Sequence, residues 1–275
     1  MMGLGKLFGA GPNPAPPELP SGFRIYAIGD VHGRHDLLDE LLALITTDSD
    51  SRRQARLVLV FLGDLIDRGP QSAEVVERLR TLRVGTARLV FLAGNHEEVL
   101  LRILDGDAAL IADWLRFGGA ECLRSYGADP DRIRQMTASD AVAAVRTAIP
   151  AEHVAFLRTF DDTFRAGDYL FVHAGVRPGL PLAEQDAADL RWIREPFLSH
   201  QADHGFVVVH GHTIREQVEE RPNRIGIDTG AYRHGILTAL GLEGRDRWLL
   251  QATTGPTGVD TAEESALDGV GSQSG

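Results

Sequence analysis

The chain has 275 residues, 43% of them hydrophobic and 24% charged, an ordinary globular composition long enough to bury a sizeable core. Its formal net charge of -11 repels nucleic-acid backbones and anionic membranes at long range, which argues against a polymer-coating nucleic-acid binder. A small phosphorylated substrate held by local charge stays open. The lone cysteine, Cys122, excludes an internal disulfide and reads as a small core residue. No apolar run is long enough to cross a bilayer, and the start, broken by Gly and Pro, is a poor signal peptide, so the expected location is cytoplasmic.

In chain order, residues 1–22 are rich in Pro and Gly and read as a flexible arm. The globular body is expected over 23–253. It opens with the strand-like run FRIYAIG (23–29) and the helical pattern RHDLLDELLALI (34–45). A second run, RLVLVFLG (56–63), precedes the helix PQSAEVVERLRTL (70–82), with Pro70 at a plausible first-turn position. After ARLVFLAG (87–94) the rhythm changes. Four patterns, EEVLLRILDG, DAALIADWLRFGG, ASDAVAAVRTAI and PAEHVAFLRTF, predict a helical insertion over about 97–165. Strands return with YLFVHAG (169–175) and FVVVHGH (206–212), and RIGIDT, GILTALGL and RWLLQAT read as antiparallel additions. Residues 254–275 are Gly, Ser and acidic residues with little to bury and read as a disordered tail. Strands covered on both faces by alternating helices make an α/β fold, a sheet flanked by helices.

The five strong strands all end in polar clusters: GDVHG (29–33), GDLIDRG (63–69), GNHE (94–97), HAG (173–175) and GHT (211–213). Ligands in α/β sheets bind beyond the carboxyl ends of the strands, so these clusters converge on one place. Asp, His and Asn donors without thiolate suit Mn, Fe or Zn, and there are too many for one tetrahedral ion. Two divalent ions sharing one carboxylate would use them all. Such a pair acidifies a water and clamps a phosphate for in-line attack. Taken singly, a Gly-Asp at a strand end is usually only a turn, and a His beside a Gly is usually structural.

In this order, the segments GDVHG, GDLIDRG and GNHE followed by two His-bearing strand ends resemble the calcineurin-like metallophosphoesterases, and among them the phosphoprotein phosphatases. WLRFGGAECLRSYG (114–127) and WIRE (192–195) look like the bacterial and phage-type serine/threonine phosphatases. The resemblance implies a central β-sandwich of mixed sheets with helices on both outer faces. It also implies roles. Asp30 and His32 would bind the first metal, Asp64 would bridge both, and Asn95, His173 and His212 would hold the second. Manganese is the expected ion, with iron or zinc as alternatives. His96 would be the acid that protonates the leaving oxygen, with Asp67 orienting its ring; Arg68 and Arg194 would grip the phosphate. Adjacent side chains diverge, so Asn95 as ligand and His96 as acid is also a natural physical split.

Other residues draw plainer readings. His210 shares a face with His212 on an ideal strand and would stand behind it; Asp228, near Thr229, would do the same for a metal-bound His. Glu97 would stabilise a helix start, and His35 would cap or orient the first helix. His153, His200, His204 and His234 read as surface residues, and Trp114, Phe117 and Trp192 as core. The leading expectation is therefore a serine/threonine protein phosphatase, acting on a phosphorylated protein or small phosphoester. One alternative is a hydrolase of the symmetrical dinucleoside tetraphosphatase kind; against it, no adenine-stacking pair or Lys cluster is evident. A second alternative is an inactive phosphate-binding scaffold.

Overall fold

The computed structural model describes residues 16–254. Residues 1–15 of the expected arm and 255–275 of the expected tail lie outside the described residues. Residues 16–22 lie against the body: Leu19 is buried between the sheets and its N–H donates to the Gly244 carbonyl at 2.8 Å.

The first half alternates strand and helix as the periodicity requires. β1 (Phe23–Ile28) leads to α1 (His35–Ser51), β2 (Arg56–Phe61) to α2 (Ser72–Arg80), and β3 (Arg88–Phe91) to α3 (Asn95–Asp105). Pro70 falls just before α2, whose N-cap is Gln71, so it ends the preceding loop instead of opening the helix. The insertion is a string of short helices: α4 (Ile111–Trp114), α5 (Ala120–Ser125), α6 (Pro130–Arg134), α7 (Ala138–Ala148) and α8 (Ala151–Leu157). It stops short of its expected end, because β4 (Thr163–Ala166) already belongs to a sheet. Then follow β5 (Tyr169–Val172), α9 (Ala187–Trp192), β6 (Val207–His210), β7 (Glu219–Arg221), β8 (Arg224–Gly226), α10 (Ala231–His234), β9 (Ile236–Glu243) and β10 (Asp246–Thr253).

Two five-stranded sheets form, ordered β10-β9-β1-β2-β3 and β4-β5-β6-β8-β7. β1, β2 and β3 are parallel, with β9 and β10 antiparallel beyond β1. In the second sheet β5, β6 and β8 are parallel, so RIGIDT is not an antiparallel addition. The short edge strands β4 and β7 supply the antiparallel pairings there; as polar edges they carry no apolar alternation to announce them.

Alternate residues divide each strand between two cores, as the two-residue side-chain period demands. Ile25, Ala27, Val58 and Val60 meet Tyr169, Phe171, Val207 and Val209 between the sheets. Tyr26, Ile28, Leu59 and Phe61 turn outward onto α1, α2 and the insertion. Leu170, Val172 and Val208 turn the other way, onto Leu190, Ile193 and Phe197. Strands buried on both faces explain the near-continuous apolar runs. The fold is thus a sandwich of mixed sheets with helices on both outer faces. Parallel strands also aim all five polar clusters at the same end.

Candidate active site

The loops after β1, β2, β3, β5 and β6 meet at that end, and six side chains expected as metal ligands come together there. Asp30, His32, Asp64, Asn95, His173 and His212 are all buried. Asp64 lies at the centre: its Oδ2 is 3.5 Å from His32 Nε2 and 3.4 Å from His173 Nε2. Asn95 Oδ1 is 3.0 Å from both His173 Nε2 and His212 Nδ1. Asp30 Oδ2 accepts the His212 backbone N–H at 3.0 Å.

The chain bends hard to achieve this. Among the described residues, the non-glycine positions with positive φ are His32 (44°), Asp64 (48°), Asp67 (70°), Arg68 (66°) and His212 (63°), and every one belongs to this site. Left-handed backbone at non-glycine residues persists only where the surroundings enforce it. Part of the enforcement is Glu97. Its carboxylate accepts the N–H groups of Asp64 at 2.9 Å, Gly94 at 3.0 Å and Leu65 at 2.8 Å, so it ties the Asp64 loop to the start of α3. Two glycines are needed for room: a Cβ on Gly94 would stand 2.1 Å from Asp64 Oδ1, and one on Gly211 would stand 2.0 Å from Asp30 Oδ1.

The donors fit a pair of cations. Two groups, His32–Asp64–His96 and Asp64–His173–His212, each place their ligand atoms within 4.8 Å of one another and share Asp64, so distance alone admits His96 to the first group, from which its bond to Asp67 sets it apart. Ligands about 2.1 Å from an ion at tetrahedral or octahedral angles stand roughly 3.0–3.4 Å apart, close to the separations around Asp64. The imidazoles are set for it: Nδ1 of His32 faces the Ile66 carbonyl and Nδ1 of His173 the Leu62 carbonyl, both at 2.8 Å, which turns each Nε2 inward. Asp30 Oδ1 and His212 Nε2 are buried without a protein partner.

The electrostatics carry the same mark. Burial and the neighbouring Asp228 and Asp64 carboxylates push Asp30 well above the usual carboxylate range. Burial pushes Glu97 up to about 7, with Asp64 adding to it. Burial acts on Asp64 too, but His173 and His96 outweigh it and hold Asp64 well below its ordinary range. Burial should lower His173, yet Asp64, with Asp30 and Glu97 behind it, pushes it up to about 10. Burial, Arg68 and His96 hold His32 far below its usual value; burial, His173 and Arg194 do so for His212. Packed carboxylates beside the neutral His32 and His212, with a proton on His173 standing where a cation would, are a cation site by charge as well as by shape.

His96, at the start of α3, stands beside this cluster. Its Nδ1 is 2.7 Å from Asp67 Oδ2, while its Nε2 is 4.0 Å from Asp64 Oδ2 and makes no hydrogen bond. Arg68 donates to the Tyr232 hydroxyl at 3.0 Å, with its guanidinium 4.8 Å from that ring. Tyr232 also meets the His32 ring edge-on at 5.2 Å.

Several sequence expectations change here. His210 does not stand behind His212. His212 has left the strand with a left-handed backbone, which breaks the alternation, and His210 packs edge-on against Phe197 at 5.1 Å. Asp228 directs an oxygen to the Gly230 N–H at 3.0 Å instead of to a site histidine, and burial pushes it up to about 6. His153 is no surface residue: it is buried, 2.9 Å from the Tyr126 hydroxyl. His35 pairs with Asp39 at 3.4 Å. Cys122 is core, as expected. Trp114 is core, as expected, while Phe117 and Trp192 are only half-buried; all three line a small apolar hollow of about 30 Å³ next to Asn95 and His96. Trp114 and Tyr232 were legible only as aromatics, because no sequence spacing links either to the Asp67–Arg68 pair.

Two cation clusters sharing a carboxylate, at the mouth of a β-sandwich, define a metal-dependent phosphoesterase. Residues 23–235 match the calcineurin-like phosphoesterase family, and the chain belongs to it. It is similar to a symmetrical bis(5'-nucleosyl)-tetraphosphatase of Dechloromonas aromatica, 29% identical over 84% of this chain and 96% of that protein. Another so named, from Methylococcus capsulatus, is 32% identical over 56% of this chain but only 44% of its own length. A solved structure of a candidate diadenosine tetraphosphatase superposes over 84% of this chain and 95% of that one, with a TM-score of 0.60 at 22% identity, a likeness of fold. Among the described residues, no helix is long and apolar enough to cross a membrane.

Proposed function

We propose that the protein hydrolyses dinucleoside polyphosphates of the diadenosine tetraphosphate kind, cutting symmetrically to give two nucleoside diphosphates. This replaces the serine/threonine protein phosphatase expected from the sequence. The observation that carries it is the apolar, aromatic surface beside His96. Val99, Leu110, Trp114, Phe117 and Trp192 make an apolar, largely aromatic slot, with Asp113 at its rim and His96 and Asn95 at its floor. Its enclosed volume is only about 30 Å³, so a base would lie across the half-buried faces of Phe117 and Trp192 and not inside it. A nucleobase has a ring to stack on this surface; a phosphoserine has none. The curated names of the relatives support the same reading.

Asp30, His32, Asp64, Asn95, His173 and His212 would hold two divalent ions, manganese by preference. When bound, such a pair supplies Lewis-acid activation of a water and neutralises phosphate charge. Everything else falls to the chain. Arg68 and Arg194 grip phosphate oxygens, and Tyr232 fixes the fork of Arg68. His96, held through Nδ1 by Asp67, presents Nε2 to the leaving oxygen and hands over a proton as the P–O bond breaks.

Purified protein loaded with manganese should be assayed on diadenosine tetraphosphate and on a phosphoserine peptide. The dinucleotide is expected to show kcat/KM roughly 100-fold higher, with ADP as the sole nucleotide product. Preference for the peptide would sink the assignment, and ATP with AMP would sink the symmetrical cut. Phe117→Ala should raise KM for the dinucleotide and leave KM for p-nitrophenyl phosphate unchanged.

A further inference from the structure

We propose that Trp114 and the turn after it are a positioning device that the insertion applies to Asp67 and Arg68. The inference rests on the reading of His96 as the leaving-group acid.

Asp67 is fully buried, and a single oxygen does its work: Oδ2 accepts His96 Nδ1–H at 2.7 Å and Trp114 Nε1–H at 2.9 Å. Oδ1 has no partner among the described residues. Apart from His96 itself, the indole N–H, with the buried Cys122 thiol beside it, is what fixes the carboxylate rotamer, and with it the plane of the His96 ring. The next residue is held from the same place, since the Arg68 backbone N–H donates to the Gly118 carbonyl at 3.1 Å. Asp67 and Arg68 are consecutive left-handed residues, a conformation that needs outside support.

The supporting turn is itself unusual. Leu115–Gly119 is a widened helical turn with non-helical backbone at Phe117 and Gly118. Such bulges are common at functional sites. Gly118 has φ 119°, and a Cβ there would lie 2.5 Å from the Arg68 nitrogen. Gly119 lies flat on the Trp114 ring, where a Cβ would come within 2.3 Å of it. Indole, two glycines and the kink between them make one clamp on two neighbouring site residues. If Trp114 served only to fill space, phenylalanine would do as well.

Trp114→Phe keeps the ring in the core and removes the N–H. Wild type, this variant and His96→Asn should be compared on phenyl phosphate, whose leaving group needs a proton, and on p-nitrophenyl phosphate, whose leaving group does not, with metal content measured in each. For Trp114→Phe, kcat on phenyl phosphate should fall about tenfold more than kcat on p-nitrophenyl phosphate, and both metals should remain. Equal effects on the two substrates, while His96→Asn discriminates between them, would overturn the positioning role. If His96→Asn does not discriminate either, the acid reading fails and the inference falls with it. Gly118→Ala tests the other arm independently: KM for phenyl phosphate should rise about tenfold with kcat within about twofold, and an unchanged KM would overturn it.

Discussion

Asp64 is the residue on which the site turns. Its carboxylate faces His32, His96 and His173, and its backbone is held left-handed by Glu97. Asp64→Asn removes the shared charge, so metal affinity should fall by more than about a hundredfold and turnover should vanish; metal analysis and kinetics on the purified variant check this. His173 gives the pH dependence. In the metal-free protein its Nε2 is protonated below about pH 10, because Asp64 outweighs burial. An ion at Nε2 must expel that proton. Affinity should therefore rise with pH, about tenfold per unit below that value, with a proton released on binding. Calorimetry in buffers of different ionisation enthalpy measures both.

At the scale of elements, the glycine-ended strands and the amphipathic helices were plain in the sequence because their periods are those of burial. Leu37, Leu38, Leu41, Leu42 and Ile45 all lie on the buried face of α1. The five clusters were legible for the same reason: each follows a strand that could be recognised, and parallel strands send their ends one way. What could not be read depends on contacts between distant segments. β4 and β7 have no apolar pattern, β8 has the same sequence character whether parallel or antiparallel, and the indole of Trp114 reaches Asp67 across 47 positions of chain. Glu97 was read as a helix stabiliser, and it does begin α3, but its larger role is to join that helix to the β2 loop. Removing its charge leaves the N–H groups of Asp64, Gly94 and Leu65 with a poorer acceptor. Glu97→Gln should then cost about 1–3 kcal/mol of unfolding free energy, measured by urea titration.

For the whole molecule, the site belongs to both sheets: Asp30, Asp64 and Asn95 follow strands of one, His173 and His212 strands of the other. Ions bound between them would tie the halves of the sandwich together. Stripping the metals should lower stability by about 2.7 kcal/mol relative to protein held at a hundred times the dissociation constant, visible as a lower melting temperature. The sandwich itself, built on the inter-sheet core, should stay folded. The acidic surface and the aromatic slot together favour a small substrate drawn in by local charge over a polyanion spread across the protein. The most direct test of the dinuclear assignment is a stoichiometric titration of metal-free protein with manganese, followed by diadenosine tetraphosphate hydrolysis at each step. Two ions per chain should bind, with turnover rising steeply only as the second is added; full activity at one equivalent would contradict the shared-carboxylate site.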